Sequence, residues 1–281
     1  MAIVTAQARG DKPANGKASG GRLFFTSQGK TGLANADGSG LRYLELNAPG
    51  QATWQPGPMF PDGRHVVMLS MEPRRDGPGK PFEEYYTQTP THLWRYDLDS
   101  GSLAEICTKE RLAPFETPAL LLGNERILVQ VVRNKVGLIY SMNLDGSDPR
   151  EFTRPGEGLP YGLSLSPDGK RVAYHLASPA GYQVWTSDTD GTNRVRVVGD
   201  PQHLYFGTSW SPDGNWILYV DCLFQQNPGH DWADVCVGRP DGSEHRVQRM
   251  MSLGAKGYVQ KPFSPEVLRG SMEQLLGVSN D

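Results

Sequence analysis

The sequence has little cysteine and no long apolar run. Its three cysteines, Cys107, Cys222 and Cys236, have no CxxC spacing and cannot all pair. We therefore expect neither a disulfide framework nor a thiolate zinc site, and we interpret the cysteines as core thiols. No apolar run approaches the roughly 20 residues that span a bilayer, and the apolar stretch at the start is too short for a secretory signal. These features predict a cytoplasmic protein that does not enter a membrane.

The sequence also lacks an excess of either charge sign. Its 28 basic and 31 acidic residues give a formal net charge of -3, so neither nucleic acid nor an anionic membrane surface is expected as a partner. No Gly-x-Ser-x-Gly motif, P-loop or dinucleotide-binding glycine motif is present. The paired carboxylates Glu83 and Glu84 lie in a polar stretch, which favours solvation over catalysis. No common enzyme motif therefore identifies an activity.

Turn-forming residues are abundant, and they recur in two motifs. The 33 glycines and 22 prolines among 281 residues indicate many tight turns. The first motif resembles Ser-Pro-Asp-Gly, and its glycines stand at positions 63, 123, 169 and 214, which are 60, 46 and 45 residues apart. The second is an Asp-Gly type turn with glycines at 38, 101, 146, 191 and 242, spaced by 63, 45, 45 and 51 residues. Both motifs indicate a repeat of about 45 residues, with insertions in the second and fifth units.

Each repeat predicts four short antiparallel strands. Asp-Gly pairs favour hairpin turns, and alternating apolar residues flank them, for example Val172 with Tyr174 and Ile217 with Tyr219. We name the strands a to d, with the first motif between a and b and the second between c and d. A four-stranded blade has two apolar faces that only neighbouring blades can bury. The pattern therefore predicts an all-β fold, namely an incomplete or small β-propeller.

The segments "SWSPDGNWILYVD" and "LSLSPDGKRVAYHLASPAGYQVWTSDTDGTNRVRV" resemble the repeat of TolB-type, WD-like propellers. The resemblance covers residues 22–248 and implies about five blade units, fewer than such propellers usually contain. We predict a flexible N-terminal segment at 1–21. A truncated, open propeller would expose blade faces and sheet edges, which predicts self-association. Because this fold hosts many unrelated functions, the resemblance implies only a scaffold that binds a ligand or protein partner.

Ligand-binding groups are expected on the b-c loops. Residues 71–91 and 222–233 contain the two insertions, and both fall between strands b and c. In an up-and-down blade the b-c loops and d-a connections share one end of the propeller, where a rigid scaffold can hold functional side chains. His92, His203 and His230 map to this end. Three further histidines lie on or beside hairpin strands and are interpreted as structural: His65, His175 and His245.

The fifth unit, with "PQHLYFG", "SWSPDG" and "NPGHDWADVCVGRPDGSEHRV", also resembles the oligogalacturonate lyases. That resemblance implies a manganese site built from histidines and a glutamine, so the expected metal ligands are His203 and His230 with Gln225 or Gln226. A lyase of this kind must neutralise a uronate carboxylate, acidify the adjacent carbon and supply a base. A divalent metal with a cationic side chain can do the first two. The alternative is that these histidines only form hydrogen bonds in surface loops, because no HxH or HExxH spacing is present.

Other side chains of the same loops are candidate ligand-binding residues. Arg74 and Arg75 are suited to meet the carboxylate of an acidic oligosaccharide, and the alternative is a solvated loop. Asp231 and Trp232 follow in the loop of the fifth unit. The other tryptophans recur at strand positions and are expected to pack in the core. Together with His92, these residues predict one ligand-binding end of the propeller.

The C-terminal segment 249–281 departs from the repeat. Its "GAKGYVQKPFSPEVLRGSMEQLL" predicts a short strand and an amphipathic helix that begins at a Ser-Pro pair. The form Gly-Ala-x-Gly-Tyr followed by Lys-Pro-Phe resembles the last strand and helix of CheY-like receiver domains. The resemblance implies that Lys261 corresponds to the lysine that pairs with the phosphorylated aspartate. No acidic cluster or phosphoacceptor loop precedes it, so we expect a response-regulator remnant without phosphorelay activity; the alternative is a C-terminal docking helix.

Overall fold

The computed structural model describes most of the repeat region. The described residues are 5–7, 22–27, 30–35, 38–72, 91–110, 112, 119–134, 136–154, 156–178, 181–223 and 232–247. All helices and strands assigned within these ranges are β-strands, and none of the described residues belongs to a helix long and apolar enough to cross a membrane. The strand and helix predicted at 249–281 lie outside the described residues.

The strands of the described residues form five four-stranded antiparallel sheets, which are the blades of a five-bladed propeller, and the predicted all-β class is confirmed. Blade 1 contains β1 (Thr5–Gln7), β2 (Arg22–Ser27), β3 (Lys30–Asn35) and β4 (Arg42–Tyr43). Blade 2 contains β5 (Thr53–Met59), β6 (His65–Met71), β7 (Thr91–Asp97) and β8 (Leu103–Ile106). Blade 3 contains β9 (Ala119–Leu122), β10 (Arg126–Arg133), β11 (Val136–Asn143) and β12 (Arg150–Glu151). Blade 4 contains β13 (Leu159–Leu165), β14 (Arg171–Ser178), β15 (Gly181–Asp188) and β16 (Val195–Gly199). Blade 5 contains β17 (Leu204–Trp210), β18 (Ile217–Leu223), β19 (Trp232–Gly238) and β20 (His245–Val247).

Within every blade the strands follow chain order and correspond to the predicted strands a to d. Strand β1 pairs with β2, with Thr5 opposite Phe24. It lies in the segment 1–21, which the sequence placed before the propeller. The first sheet therefore includes a strand that lies before residue 22, the predicted start of the propeller.

Most a-b and c-d turns contain an aspartate directly before the glycine, and this aspartate accepts hydrogen bonds within the turn. In the a-b turn of blade 5, Asp213 accepts hydrogen bonds from the Ser211 hydroxyl at 2.5 Å and from the Asn215 amide at 3.0 Å. These bonds favour the charged form and lower the pKa of Asp213 to about 2. Gly214 follows with a φ of 71°, a conformation that glycine adopts without steric cost. The recurring Asp-Gly pairs are therefore turn chemistry.

Adjacent blades pack through the alternating side chains of their b strands. We call the face of a blade toward the next blade in the chain its forward face, and the opposite one its rear face. In blade 2, Val66 and Met68 lie in the core shared with blade 1, while Val67 and Leu69 lie in the core shared with blade 3. A strand buried on both sides needs apolar residues on both faces, as observed. Within the described ranges such cores join blades 1 and 2, 2 and 3, 3 and 4, and 4 and 5, and none joins blade 5 to blade 1.

The contact between blades 4 and 5 contains a buried histidine. His175 on β14 is 6% exposed, and burial lowers its pKa to about 3 because desolvation disfavours the charged imidazolium. Its ring lies against Gly162, where φ is 66° and an added Cβ would be 2.3 Å from the imidazole. The Thr208 hydroxyl of blade 5 donates a hydrogen bond to the Gly162 carbonyl. His175 is therefore a neutral packing residue, in agreement with its predicted structural role.

The three cysteines lie in the core, as the sequence predicted. Cys107, Cys222 and Cys236 are buried free thiols. Burial raises the pKa of Cys107 to about 12 and that of Cys236 to about 11. Thiols with such pKa values are almost entirely protonated near neutral pH, so they are poor nucleophiles and poor metal ligands.

One tryptophan departs from the predicted core role. Trp54 is buried between blades 1 and 2 as expected, but Trp216 is only half-buried, just before β18. The guanidinium groups of Arg239 and Arg246 lie 3.9 and 5.1 Å from its ring centroid, so it makes cation-π contacts instead of packing in a core. The physical reason is that Trp216 lies beside the forward face of blade 5, against which no described blade packs.

Candidate functional site

The structure confirms that both insertions are b-c connections. One joins β6 to β7 in blade 2, and the other joins β18 to β19 in blade 5. Most predicted site residues of these loops lie outside the described residues: Arg74, Arg75, Gln225, Gln226, His230 and Asp231. Trp232, expected in the loop, is the first residue of β19. Of the predicted site residues, His92 and His203 are described with their side chains.

His203 and Asp221 form a hydrogen-bonded pair at the b-c end of blade 5. His203 directly precedes β17, and Asp221 lies near the end of β18. The distance from His203 Nδ1 to Asp221 Oδ1 is 2.7 Å, and the side chains are 26% and 14% exposed. The His203 ring stacks on Tyr205, with 5.9 Å between ring centroids and 12° between ring planes. A carboxylate on one imidazole nitrogen fixes the ring, which is the arrangement that supports metal-ligating and proton-accepting histidines.

The surroundings of this pair are acidic. Asp234 on β19 is directly opposite Asp221 in the antiparallel register, and like charges so placed destabilise each other. Asp200 precedes His203 by three residues, and its main-chain carbonyl accepts a hydrogen bond from the His203 amide at 3.1 Å. Burial, together with the charges of Asp221 and Asp200, raises the pKa of Tyr205 to about 12. Within the described ranges the ion-pair partner of these carboxylates is His203 alone, so this end of blade 5 attracts positive charge.

His92 forms a separate carboxylate contact in blade 2. Its Nδ1 lies 2.6 Å from Glu105 Oε1, and its Nε2 lies 3.9 Å from Glu72 Oε1. Its ring lies 6.3 Å from that of Trp94, measured between centroids. Blades 3 and 4 separate it from His203 in the chain order, and the two histidines contact different carboxylates. The structure therefore places both at the b-c end, each beside a carboxylate of its own blade.

The predicted manganese site stays a prediction. In the part of the chain that the structure describes, no group of three or more histidine, cysteine, aspartate and glutamate side chains is arranged to hold a metal ion. His203 and Asp221 supply a pair of suitable donor types, an imidazole supported by a carboxylate. The other predicted ligands, His230 with Gln225 or Gln226, lie outside the described residues.

The carboxylates that contact the two histidines were not predicted from the sequence. A signal was available for Asp221, which is the one charged residue among the apolar residues of β18. A largely buried carboxylate in a strand needs a polar partner, and His203 is that partner. For Glu105 no local signal existed, because its approach to His92 depends on the register in which Trp94 faces Glu105. Pairings across strands are set by register, which the repeat motif alone does not give.

Comparisons with known sequences give partial matches. No family model matches the chain. An uncharacterized protein of Agrobacterium fabrum is 28% identical over 139 residues, which cover 48% of this chain and 46% of that protein, so the match extends over about half the length of this relative. A probable chemotaxis protein CheY of Rhizobium etli is 26% identical over 98 residues, or 34% of this chain and 75% of the relative. The second similarity gives weak support to the receiver-like fragment.

The solved structures to which the chain is similar include several β-propellers. The chain superposes on a putative TolB from Agrobacterium tumefaciens with a TM-score of 0.58 and 17% identity, covering 80% of this chain and 76% of that one. For an oligogalacturonate lyase from Vibrio parahaemolyticus the TM-score is 0.57 at 14% identity, covering 80% and 62%. An oligogalacturonate lyase in complex with manganese gives 0.55 at 14% identity, covering 80% and 61%. The chain therefore has the β-propeller fold; at these identities the likeness concerns the fold alone.

Proposed function

We propose that the protein is a β-propeller scaffold that binds a ligand or protein partner at its b-c loop end, with the His203–Asp221 pair of blade 5 as a contact. The observation that supports this function is the 2.7 Å hydrogen bond between the two side chains, both partly accessible at that end. A hydrogen-bonded pair held at the end of rigid strands beside a long loop is typical of binding sites on such scaffolds. Packing of the blade alone does not require an aspartate at this position.

The charges around the pair favour a ligand that brings a positive charge, such as a basic segment of a protein partner. Asp221 contacts the His203 imidazole, Asp234 lies opposite Asp221 and the charge of Asp200 acts on the neighbouring Tyr205, and no lysine or arginine in the described part of the chain pairs with these carboxylates. Two opposite unit charges 4 Å apart gain about 1 kcal/mol in water and more beside a protein surface. Salt screens such contacts, so binding should weaken as ionic strength rises.

A titration with a pentalysine peptide, followed by calorimetry at low ionic strength, tests this proposal. We expect wild-type protein to bind the peptide and Asp221→Asn to bind it severalfold more weakly, because one of the three carboxylates is neutralised. Glu244→Gln is the matched control: it removes one negative charge from blade 5 at the opposite end, beside Arg246, and should bind like wild type. Equal affinity for all three proteins, or no binding by any of them, would contradict the proposal.

The second candidate is a metal-dependent oligogalacturonate lyase. The carboxylate that supports the His203 ring favours it, as does the similar fold of a lyase whose structure was solved with manganese. Because the described surroundings are acidic, a uronate could approach only with a divalent cation between it and the carboxylates. The lyase function therefore requires metal binding, whereas the scaffold function does not.

Manganese titration followed by electron paramagnetic resonance separates the two candidates. A lyase should take up manganese and then form an unsaturated product from trigalacturonate, detected by its ultraviolet absorbance. Both signals should be lost in His203→Ala and retained in His245→Ala, which removes an exposed histidine at the other end of the same blade. A folded sample that takes up no manganese would exclude the lyase candidate.

For residues 249–281, a response-regulator remnant stays a prediction that rests on the Lys-Pro-Phe motif and the similarity to CheY. Incubation with acetyl phosphate should leave the protein unlabelled, because the repeat region supplies no phosphoacceptor loop. A labelled aspartate would contradict this prediction.

The cytoplasmic location is likewise a proposal, and it is tested by fractionation of the cells that express the protein.

A further inference from the structure

The forward face of blade 5 is an apolar sheet face that no described residue of another blade covers. Cys236 on β19 and Ile217 and Tyr219 on β18 belong to the core shared with blade 4. Because side chains alternate along a strand, the residues next to these in sequence point to the opposite face, away from blade 4. Register pairs Leu218 with Val237 and Val220 with Val235 on this opposite face. The forward face of blade 5 thus contains Leu218, which is 37% exposed, the half-buried Val220 and Val235, and Val237, which is 8% exposed. Arg246 lies opposite Val237 on this face, and Trp216 lies at its margin.

The same positions in earlier blades are buried by the blade that follows. The first apolar forward-facing residue of each b strand is Val67 in blade 2, Leu128 in blade 3 and Ala173 in blade 4. All three are 0% exposed. Its counterpart in blade 5, Leu218, is 37% exposed. The residue type fits a blade-to-blade core, and only the covering blade is missing among the described residues. This face therefore has the composition of an interface.

Blade 1 presents the complementary half of such an interface. Phe24 on β2 packs forward against blade 2, so Phe25 points to the rear. Its ring lies 6.0 Å from that of Tyr43 at an interplanar angle of 70°, and Tyr43 is 51% exposed. Every core between blades joins the forward face of one blade to the rear face of the next. Among the described residues, the forward face of blade 5 and the rear face of blade 1 thus have no blade packed against them.

We propose that a second copy of this chain occupies the open face, with the rear face of its blade 1 packed on the forward face of blade 5. The occupant is a second copy because the chain carries both complementary halves, and the new contact continues the arrangement of the four existing cores. Such head-to-tail contacts are heterologous, so they form closed rings when the rotation closes and open filaments when it does not. This surface is distinct from the b-c loop end, so the proposal is independent of the scaffold function.

Sedimentation velocity of the full chain over a wide range of concentrations tests the proposal. Wild-type protein should form species larger than a monomer as concentration rises. Leu218→Asp and Tyr43→Asp should each raise the dissociation constant at least about tenfold, because each places a charge in an apolar interface. Ala104→Asp is the matched control, since it adds the same charge at an exposed position on β8 of an interior blade, and it should associate like wild type.

Mixing the two variants gives the sharper result. Leu218→Asp keeps its blade 1 face and Tyr43→Asp keeps its blade 5 face, so a head-to-tail contact predicts heterodimers that grow no further. Both changes lie on exposed faces, and denaturant unfolding should show that each variant retains the folded structure. A wild-type protein that is monomeric at all concentrations overturns the proposal. Association that survives both substitutions, or an equimolar mixture that stays monomeric, also overturns it.

Discussion

His175 should make the stability of the propeller depend on pH between about pH 5 and about pH 7.5. The imidazole is 6% exposed, and burial lowers its pKa from 6.5 to about 3. Because the folded state holds the neutral ring, its contribution is complete above the unfolded pKa of 6.5 and is lost as pH falls toward 3. As the pH falls from about 7.5 to about 5, His175 binds a proton in the unfolded state but not in the folded state. This difference lowers the free energy of unfolding by about 2 kcal/mol.

Denaturant unfolding at the two pH values measures this loss. His175→Gln removes the titrating ring, so the variant should lose about 2 kcal/mol less than wild type between about pH 7.5 and about pH 5. The comparison cancels the contribution of turn aspartates such as Asp213, which are the same in both proteins. His245→Gln, an exposed histidine variant, should behave like wild type. If wild type and His175→Gln lose equal stability, the reasoning about a buried neutral imidazole is wrong.

Three further results are expected from thermal or chemical unfolding and from thiol labelling. Gly162→Ala should destabilise the protein by about 3 kcal/mol, because the residue has a φ of 66° and the added Cβ would lie 2.3 Å from His175; an unchanged unfolding midpoint would refute this. Leu128→Ala should lower the free energy of unfolding by about 2–5 kcal/mol, and Leu218→Ala should lower it by under about 1 kcal/mol at a protein concentration where the chain is monomeric. The two residues occupy equivalent positions, but Leu128 is 0% and Leu218 is 37% exposed. Equal losses of stability would show that this face of blade 5 is covered. A thiol reagent should modify the buried cysteines slowly in the folded protein and rapidly in denaturant; fast labelling of the native state would contradict their burial.

The fold could be predicted largely from the sequence because its main signals are local. An Asp-Gly turn such as that at Asp213 and Gly214 carries its own hydrogen bonds and backbone conformation, and it recurs with the blade period. Alternation along β6 and β18 gave the two apolar faces. These features depend on residues a few positions apart, so the repeat was sufficient to predict five blades and the position of both b-c loops.

The candidate site was predicted only in part, because its contacts cross strands. His203 was identified from its place at the b-c end, whereas the register of β17, β18 and β19 brings Asp221 to it and places Asp234 opposite Asp221. Trp216 was expected in a core, yet it contacts two arginines because blade 5 has no described successor. Whether a blade face is covered depends on a neighbour distant in sequence or on another molecule, which a local pattern does not encode.

The central claim is that the b-c end of blade 5 binds a ligand through the His203–Asp221 pair. Nuclear magnetic resonance of the histidine ring protons during titration with pentalysine tests it most directly, because each imidazole reports its own surroundings. The account predicts that the His203 resonances shift as peptide is added, while those of His245, at the other end of the same blade, stay in place. Shifts of His245 as large as those of His203, or no shift of His203 at saturating peptide, would contradict it.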